Sequence, residues 1–187
     1  DPDVSSWVGK SCSTLPIRFH HHSSYLDEKR KRFVIFGGFG SMIYNGDFYS
    51  CDLNDYQWQK DTLPSGDRIY PRYFTSLGYF PSEDALYIFG GMGNESGEQI
   101  VGRHYFYDLY RLDLSTGVNA MIWGKDIVLD WKEENMVPVR NMVLHDGGFY
   151  TMCYPEFHTN SYLQLFYFDI ESATYSKLCN KIPIRSD

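Results

Sequence analysis

The chain has 187 residues, with 17 Lys and Arg against 24 Asp and Glu, for a formal net charge of −7. That balance argues against a general nucleic-acid binder, which needs a basic stripe to displace counterions, and against docking on an anionic membrane surface. Aromatic residues form 18 % of the chain and hydrophobic residues 43 %, which excludes disorder and favours the half-buried faces of sheets over a helical bundle.

No stretch approaches the roughly 18 consecutive apolar residues that cross a bilayer. The chain opens Asp1-Pro2-Asp3 without an initiator Met, as expected of a processed or excised piece. That missing Met is the one sign pointing to an extracytoplasmic setting. Cys12, Cys51, Cys153 and Cys179 form no C-x-x-C pair and read as small buried hydrophobes, with their disulfide state left open.

In chain order, one pattern occurs three times. The first copy opens Pro16-Ile17-Arg18, continues through the apolar run Phe33-Val34-Ile35-Phe36 into Gly37-Gly38, and closes with Asp52 and Trp58. The second opens Pro71-Arg72, runs Leu86-Tyr87-Ile88-Phe89 into Gly90-Gly91, and closes with Asp113 and Trp123. The third opens Pro138-Val139-Arg140, puts Cys153-Tyr154 in place of the glycine pair, and closes with Asp169 and Tyr175. The aspartates recur 61 and 56 residues apart. A mixed strand is predicted before each apolar run, at residues 18–25 and 73–79 in the first two copies. A polar turn follows it at residues 26–31, 81–84 and 146–148, which makes a hairpin. A third strand ends in the Asp and a fourth carries the Trp or Tyr. One helical turn is predicted at residues 130–135.

Four antiparallel strands in every copy are what a propeller blade requires, and stacking neighbours would dry both faces of each blade. The apolar run, glycine pair, Asp and following aromatic resemble the kelch repeat, of the kind found in the central domain of galactose oxidase. The resemblance covers residues 16–182. It implies an all-β fold, a kelch-type β-propeller segment of about three four-stranded antiparallel blades plus one N-terminal outer strand. Residues 1–187 would form a single segment with blades at 16–64, 71–124 and 138–183. Residues 1–15, whose Trp7 matches Trp58, would supply the last strand of a preceding blade. Gly37, Gly38, Gly90, Gly91, Asp52, Asp113, Asp169, Trp58, Trp123 and Tyr175 are the repeat-structural positions. Because propellers close with four to eight blades, the chain is expected to be part of a larger propeller, or else to pair as a homodimer that completes a ring.

Kelch propellers bind partners at one end of the ring, so Arg18, Arg72 and Arg140, each near the start of its copy, would form an arc there. With His20, Tyr73 and Asn141 they would grip carboxylates of a protein partner or a small acidic or sugar ligand. The alternative is that each Arg pairs with an acidic residue of the adjacent blade. On a regular strand His20 and His22 share a face and His21 does not, and two histidines fall short of the three or four ligands zinc needs. Residues 92–105 form the longest loop, and Asn94-Glu95-Ser96 within it fits a glycosylation sequon, which carries no meaning in a bacterial protein. No nucleophile elbow, Walker loop or H-E-x-x-H is present, and Phe36-Gly37-Gly38-Phe39-Gly40 reads as a sheet corner. The expected function is a non-catalytic ligand- or protein-binding module of a larger sensor or regulatory protein, without cofactor or metal. The alternative is a sugar-directed kelch enzyme resembling sialic acid mutarotases or copper oxidases.

Overall fold

Each copy of the repeat folds into its own sheet in the computed structural model, which describes residues 9, 11–15, 18–124, 136–139, 141–154 and 162–184. The first copy forms β1 (Ser23–Asp27), β2 (Arg32–Phe36), a small hairpin of β3 (Phe39–Gly40) and β4 (Ile43–Tyr44), then β5 (Phe48–Asp52) and β6 (Trp58–Lys60). Its sheet order is β1-β2-β5-β6, antiparallel throughout. The second comprises β7 (Ser65–Gly66), β8 (Arg72–Tyr73), β9 (Ser76–Phe80), β10 (Ala85–Gly93), β11 (His104–Asp113) and β12 (Val118–Trp123). Here β8 and β9 both pair with β10, followed by β11, β12 and, in parallel, β7. The third comprises β13 (Val137–Pro138), β14 (Val143–His145), β15 (Gly148–Tyr154), β16 (Tyr162–Asp169), β17 (Thr174–Lys177) and β18 (Ile182–Pro183). Again two short inner strands share one neighbour, β15. The helical turn expected at 130–135 lies outside the described residues.

Side-chain alternation makes these sheets lean on one another. Along β10, Leu86 and Ile88 join Val34, Phe36 and Phe48 of the first blade in one buried cluster. Tyr87 and Phe89, on the opposite face, join Phe149, Phe166 and Phe168 of the third blade in another. A strand dry on both faces must be apolar at every position, and that accounts for the unbroken run. By the same register, Val143, Tyr150, Met152, Leu165 and Tyr167 occupy the third blade's outward face. They are only partly covered, and Val143 is 65 % exposed.

The repeat extends to backbone conformation. Asp52 accepts the Asn54 N–H, Asp113 those of Ser115 and Thr116, and Asp169 that of Ser172. Four residues after each Asp stands a left-handed residue: Tyr56, Gly117 and Ala173. The aspartate therefore caps the outer hairpin of every blade. Another recurrence departs from the expected strands. His21 (φ 56°) and Phe74 (φ 54°) occupy equivalent places and kink the inner strand, so residues 73–79 form two strands rather than one. The Phe74 N–H bonds the His21 carbonyl at 3.1 Å across the blade boundary.

Trp58 and Tyr175 stand opposite the residue preceding their aspartates, Cys51 and Phe168. In the second blade that register position belongs to Asn119, opposite Leu112, while Trp123 sits farther along, opposite Leu109. Trp123 has a different task. It is buried against Phe89, Phe149 and Phe168, and its indole N–H donates to the Ile170 carbonyl of the next blade at 2.9 Å. Of residues 1–15, Ser13 donates its N–H to the Tyr56 carbonyl and accepts the Trp58 N–H. Ser65 makes the matching bond to the Gly117 carbonyl, so both segments run beside the outer strand of the blade that follows.

A polar clasp closes the end of the first interface that carries the β1–β2 turn. Arg30 donates to both Asp84 oxygens, at 3.0 and 2.8 Å, and to the Leu114 carbonyl, while Lys29 reaches Asp84 at 2.6 Å. Hydrogen bonds from Arg30, then from Lys29, hold the Asp84 carboxyl down at about 2. Its pairing therefore stabilises the fold above the ordinary carboxylate range, near 4, and that contribution fades as pH falls toward 2. Asp84→Asn is expected to lower the urea midpoint at pH 7, with the difference from wild type closing near pH 2. Phe89→Ala is expected to cost about 3–5 kcal/mol in the same titration, against less than about 0.5 kcal/mol for Leu178→Ala on the surface.

Candidate functional site

The β1–β2 and β5–β6 turns lie at one end of the blades, so the β2–β5 and β10–β11 connections gather at the other. There Tyr44, Tyr73, Met92 and Val137 form a buried cluster fed by all three blades, with Phe39, Phe74 and Tyr105 packed against it. Tyr44 and Tyr73 stack with ring centres 5.5 Å apart.

The two connections are joined by backbone. The Tyr44 N–H bonds the Gly97 carbonyl at 2.7 Å, and the Gln99 N–H bonds the Met42 carbonyl at 3.0 Å. The 94–103 loop is held from within by the buried Asn94 side chain. Its amide N–H groups reach the Glu98 and Gly102 carbonyls, and its oxygen accepts from Ser96 and the Gly97 N–H. The sequon asparagine is thus an internal clamp. Asn45 does the same for the first connection by donating to the Gly37 and Asp47 carbonyls.

On this joined surface Met42 is 65 % exposed, Ile43 49 %, Ile100 84 % and Val101 61 %. Ser41 (φ 51°) and Met42 (φ 67°) form the two-residue turn between β3 and β4, and both are left-handed. Such turns select Asn-Gly or Asp-Gly. The β14–β15 hairpin obeys the rule with Asp146-Gly147. A bulky residue in that conformation costs about 1 kcal/mol. His21, Lys31, Tyr56, Phe74, Asp84 and Ala173 are also left-handed, but each stands at a turn or kink that recurs between blades. Among the described residues Ser41 and Met42 have no such counterpart.

The glycine pairs hold the entering chain close. A Cβ on Gly37 would meet the Arg72 carbonyl at 2.6 Å, and one on Gly91 the Tyr73 carbonyl at 2.7 Å; both glycines have positive φ. Gly38 and Gly90 are also left-handed. Sequence-predicted contact residues then part company. Arg72 is fully buried, donating to Asp108 at 2.6 and 3.0 Å and to the Tyr70 and Gly90 carbonyls, with its guanidinium 4.1 Å above the Phe106 ring. Its partner lies in the same blade, not the adjacent one, and the charge faces no open surface. Arg140 lies outside the described residues, and Arg18 is exposed. His20 packs edge-on against Phe39, which also touches Tyr73; Tyr73 is buried, its hydroxyl accepting from Arg103.

Asn141 donates to the Ser24 carbonyl at 2.6 Å, joining the first and third blades. With His21, His22, Ser23, Ser24, Phe74, Thr75 and Val139 it lines a cavity of about 500 Å³. Burial, then the neighbouring His20 and His22, lower the His21 pKa. Among the described residues no group of three or more His, Cys, Asp or Glu is placed to hold a metal, and no helix is long and apolar enough to cross a membrane.

The KLHDC2/KLHL20/DRC7 Kelch-repeats domain model matches residues 1–186. The chain belongs to this kelch-repeat family. No curated protein matches it. Kelch-repeat domains are, as a class, protein-interaction modules. Arg72 is one half of a buried, bonded ion pair, and removing one partner of such a pair leaves a bare charge and costs about 3–5 kcal/mol. Arg72→Ala is expected to lose that much stability in urea, whereas a residue that only gripped ligand would leave the midpoint unchanged.

Proposed function

We propose that this kelch domain binds a protein partner through the end of the ring that carries the β2–β5 and β10–β11 connections, as the recognition part of a larger sensor or regulatory protein. The observation that carries the reading is the union of two connections from neighbouring blades into one hydrogen-bonded surface, with large aliphatic side chains directed to solvent. Apolar side chains that stay exposed on a rigid frame are characteristic of interaction sites. A photo-crosslinking amino acid at position 100 is expected to capture the partner, and one at position 29, at the opposite end, is not. Capture from position 29 alone would overturn the reading.

A second association has its own support in the third blade. Val143, Tyr150, Met152 and Leu165 take register positions that are buried in the first two blades, so the surface that fits them is another blade. A second copy of this chain supplies one and would close a six-bladed homodimeric ring. Sedimentation at rising concentration is expected to show twice the chain mass, and Val143→Lys with Tyr150→Glu to abolish it. A monomer at all concentrations would exclude the ring.

A further inference from the structure

We infer that the surface formed by residues 41–43 and 98–101 takes a linear peptide segment of its partner whose aliphatic side chains are flanked by Lys or Arg. The inference rests on the protein-binding reading above and names the chemistry of the bound segment.

Four features converge. Met42, Ile43, Ile100 and Val101 are all at least 49 % exposed, and the backbone bonds between the two connections hold them side by side. Ile43 stands opposite Glu98, so a carboxylate lies beside the apolar group rather than at a distance from it. Glu95 and Glu98 are exposed, and among the described residues neither has an ion-pair partner. Arg103 and Arg68 are exposed as well, but each is engaged by a neutral acceptor, Arg103 by the Tyr73 hydroxyl and Arg68 by the Glu95 carbonyl. Aliphatic side chains bordered by unpaired carboxylates complement an aliphatic segment bordered by cations, while an anionic membrane is repelled by the same carboxylates.

Met42 ties the surface to binding rather than to folding. Its left-handed backbone would be relieved by glycine, yet the side chain it carries is directed to solvent. No interior contact explains a bulky residue there, whereas a docked segment would cover it.

The probe is a phage-displayed library of random twelve-residue peptides selected on the whole domain. Enriched sequences are expected to carry aliphatic residues with adjacent Lys or Arg. A synthetic representative is expected to bind about tenfold or more weakly to Ile100→Ser and to Glu98→Lys, and less tightly as salt rises. Ser41→Asn with Met42→Gly is expected to weaken binding while raising the melting temperature, a combination that lost packing would not produce. If enriched peptides bind these variants as tightly as wild type, or carry acidic flanks, the inference fails while the protein-binding reading stands. If nothing is enriched, both fail.

Discussion

The contact on which everything else depends is the meeting of two apolar sheet faces. A four-stranded sheet with alternating side chains presents two sides, and here each inner strand places large apolar groups on both. Leu86 and Ile88 settle against the first blade and Tyr87 and Phe89 against the third. Full burial of one such side chain contributes roughly 1.5–3 kcal/mol, and two successive interfaces multiply it. The consequence is a division of labour. Polar groups on the blade faces must find a partner there, as Ser76 does in Thr151, and charge gathers at the two ends.

The two ends differ in kind. The end bearing the β1–β2 turns is closed by ionic and turn chemistry: Arg30 on Asp84 between blades and Asp113 on Ser115 and Thr116 within one. The other end is built from backbone bonds between connections and from stacked aromatic rings. Asn45, Arg72 and Asn94 turn inward there and spend their polar groups on the frame, while Met42, Ile43, Ile100 and Val101 stay exposed beside Glu95 and Glu98.

Local chemistry was legible in the sequence and long-range chemistry was not. The copy boundaries, the apolar runs and the aspartates depend on residues within one strand or one turn. An aspartate that caps amides two and three residues on declares itself by spacing. The partner of Arg72 is 36 residues away, and no periodicity connects it with Asp108. The shared opening position of Arg18, Arg72 and Arg140 suggested a common surface, but the side chain at the middle position is drawn under its own blade by a carboxylate, two carbonyls and a ring. Trp123 looked equivalent to Trp58 because both follow an aspartate; register, which requires the hairpin's length, separates them. The kink at His21 and Phe74 was hidden because nothing in either side chain demands positive φ, and only their cross-blade bond shows its purpose. At the candidate site, Ile100 and Val101 were visible as apolar residues in a polar loop, but their alliance with Met42 and Ile43 required knowing that two blades meet there.

Rigidity gives the exposed loops their meaning. A long flexible loop that orders on binding loses affinity to the entropy of ordering. The 94–103 connection is already fixed by Asn94 and by its bonds to the neighbouring blade, so its aliphatic side chains are presented without a backbone ordering cost. A chain selected only for stability would bury or replace them, and would place Asn-Gly at the β3–β4 turn as readily as it places Asp146-Gly147 at another. The left-handed residues inside the repeat stand at turns and kinks that recur between blades, whereas Ser41 and Met42 stand at a solvent-facing turn with no counterpart among the described residues. A departure that the fold does not use is best accounted for by something the fold is meant to meet.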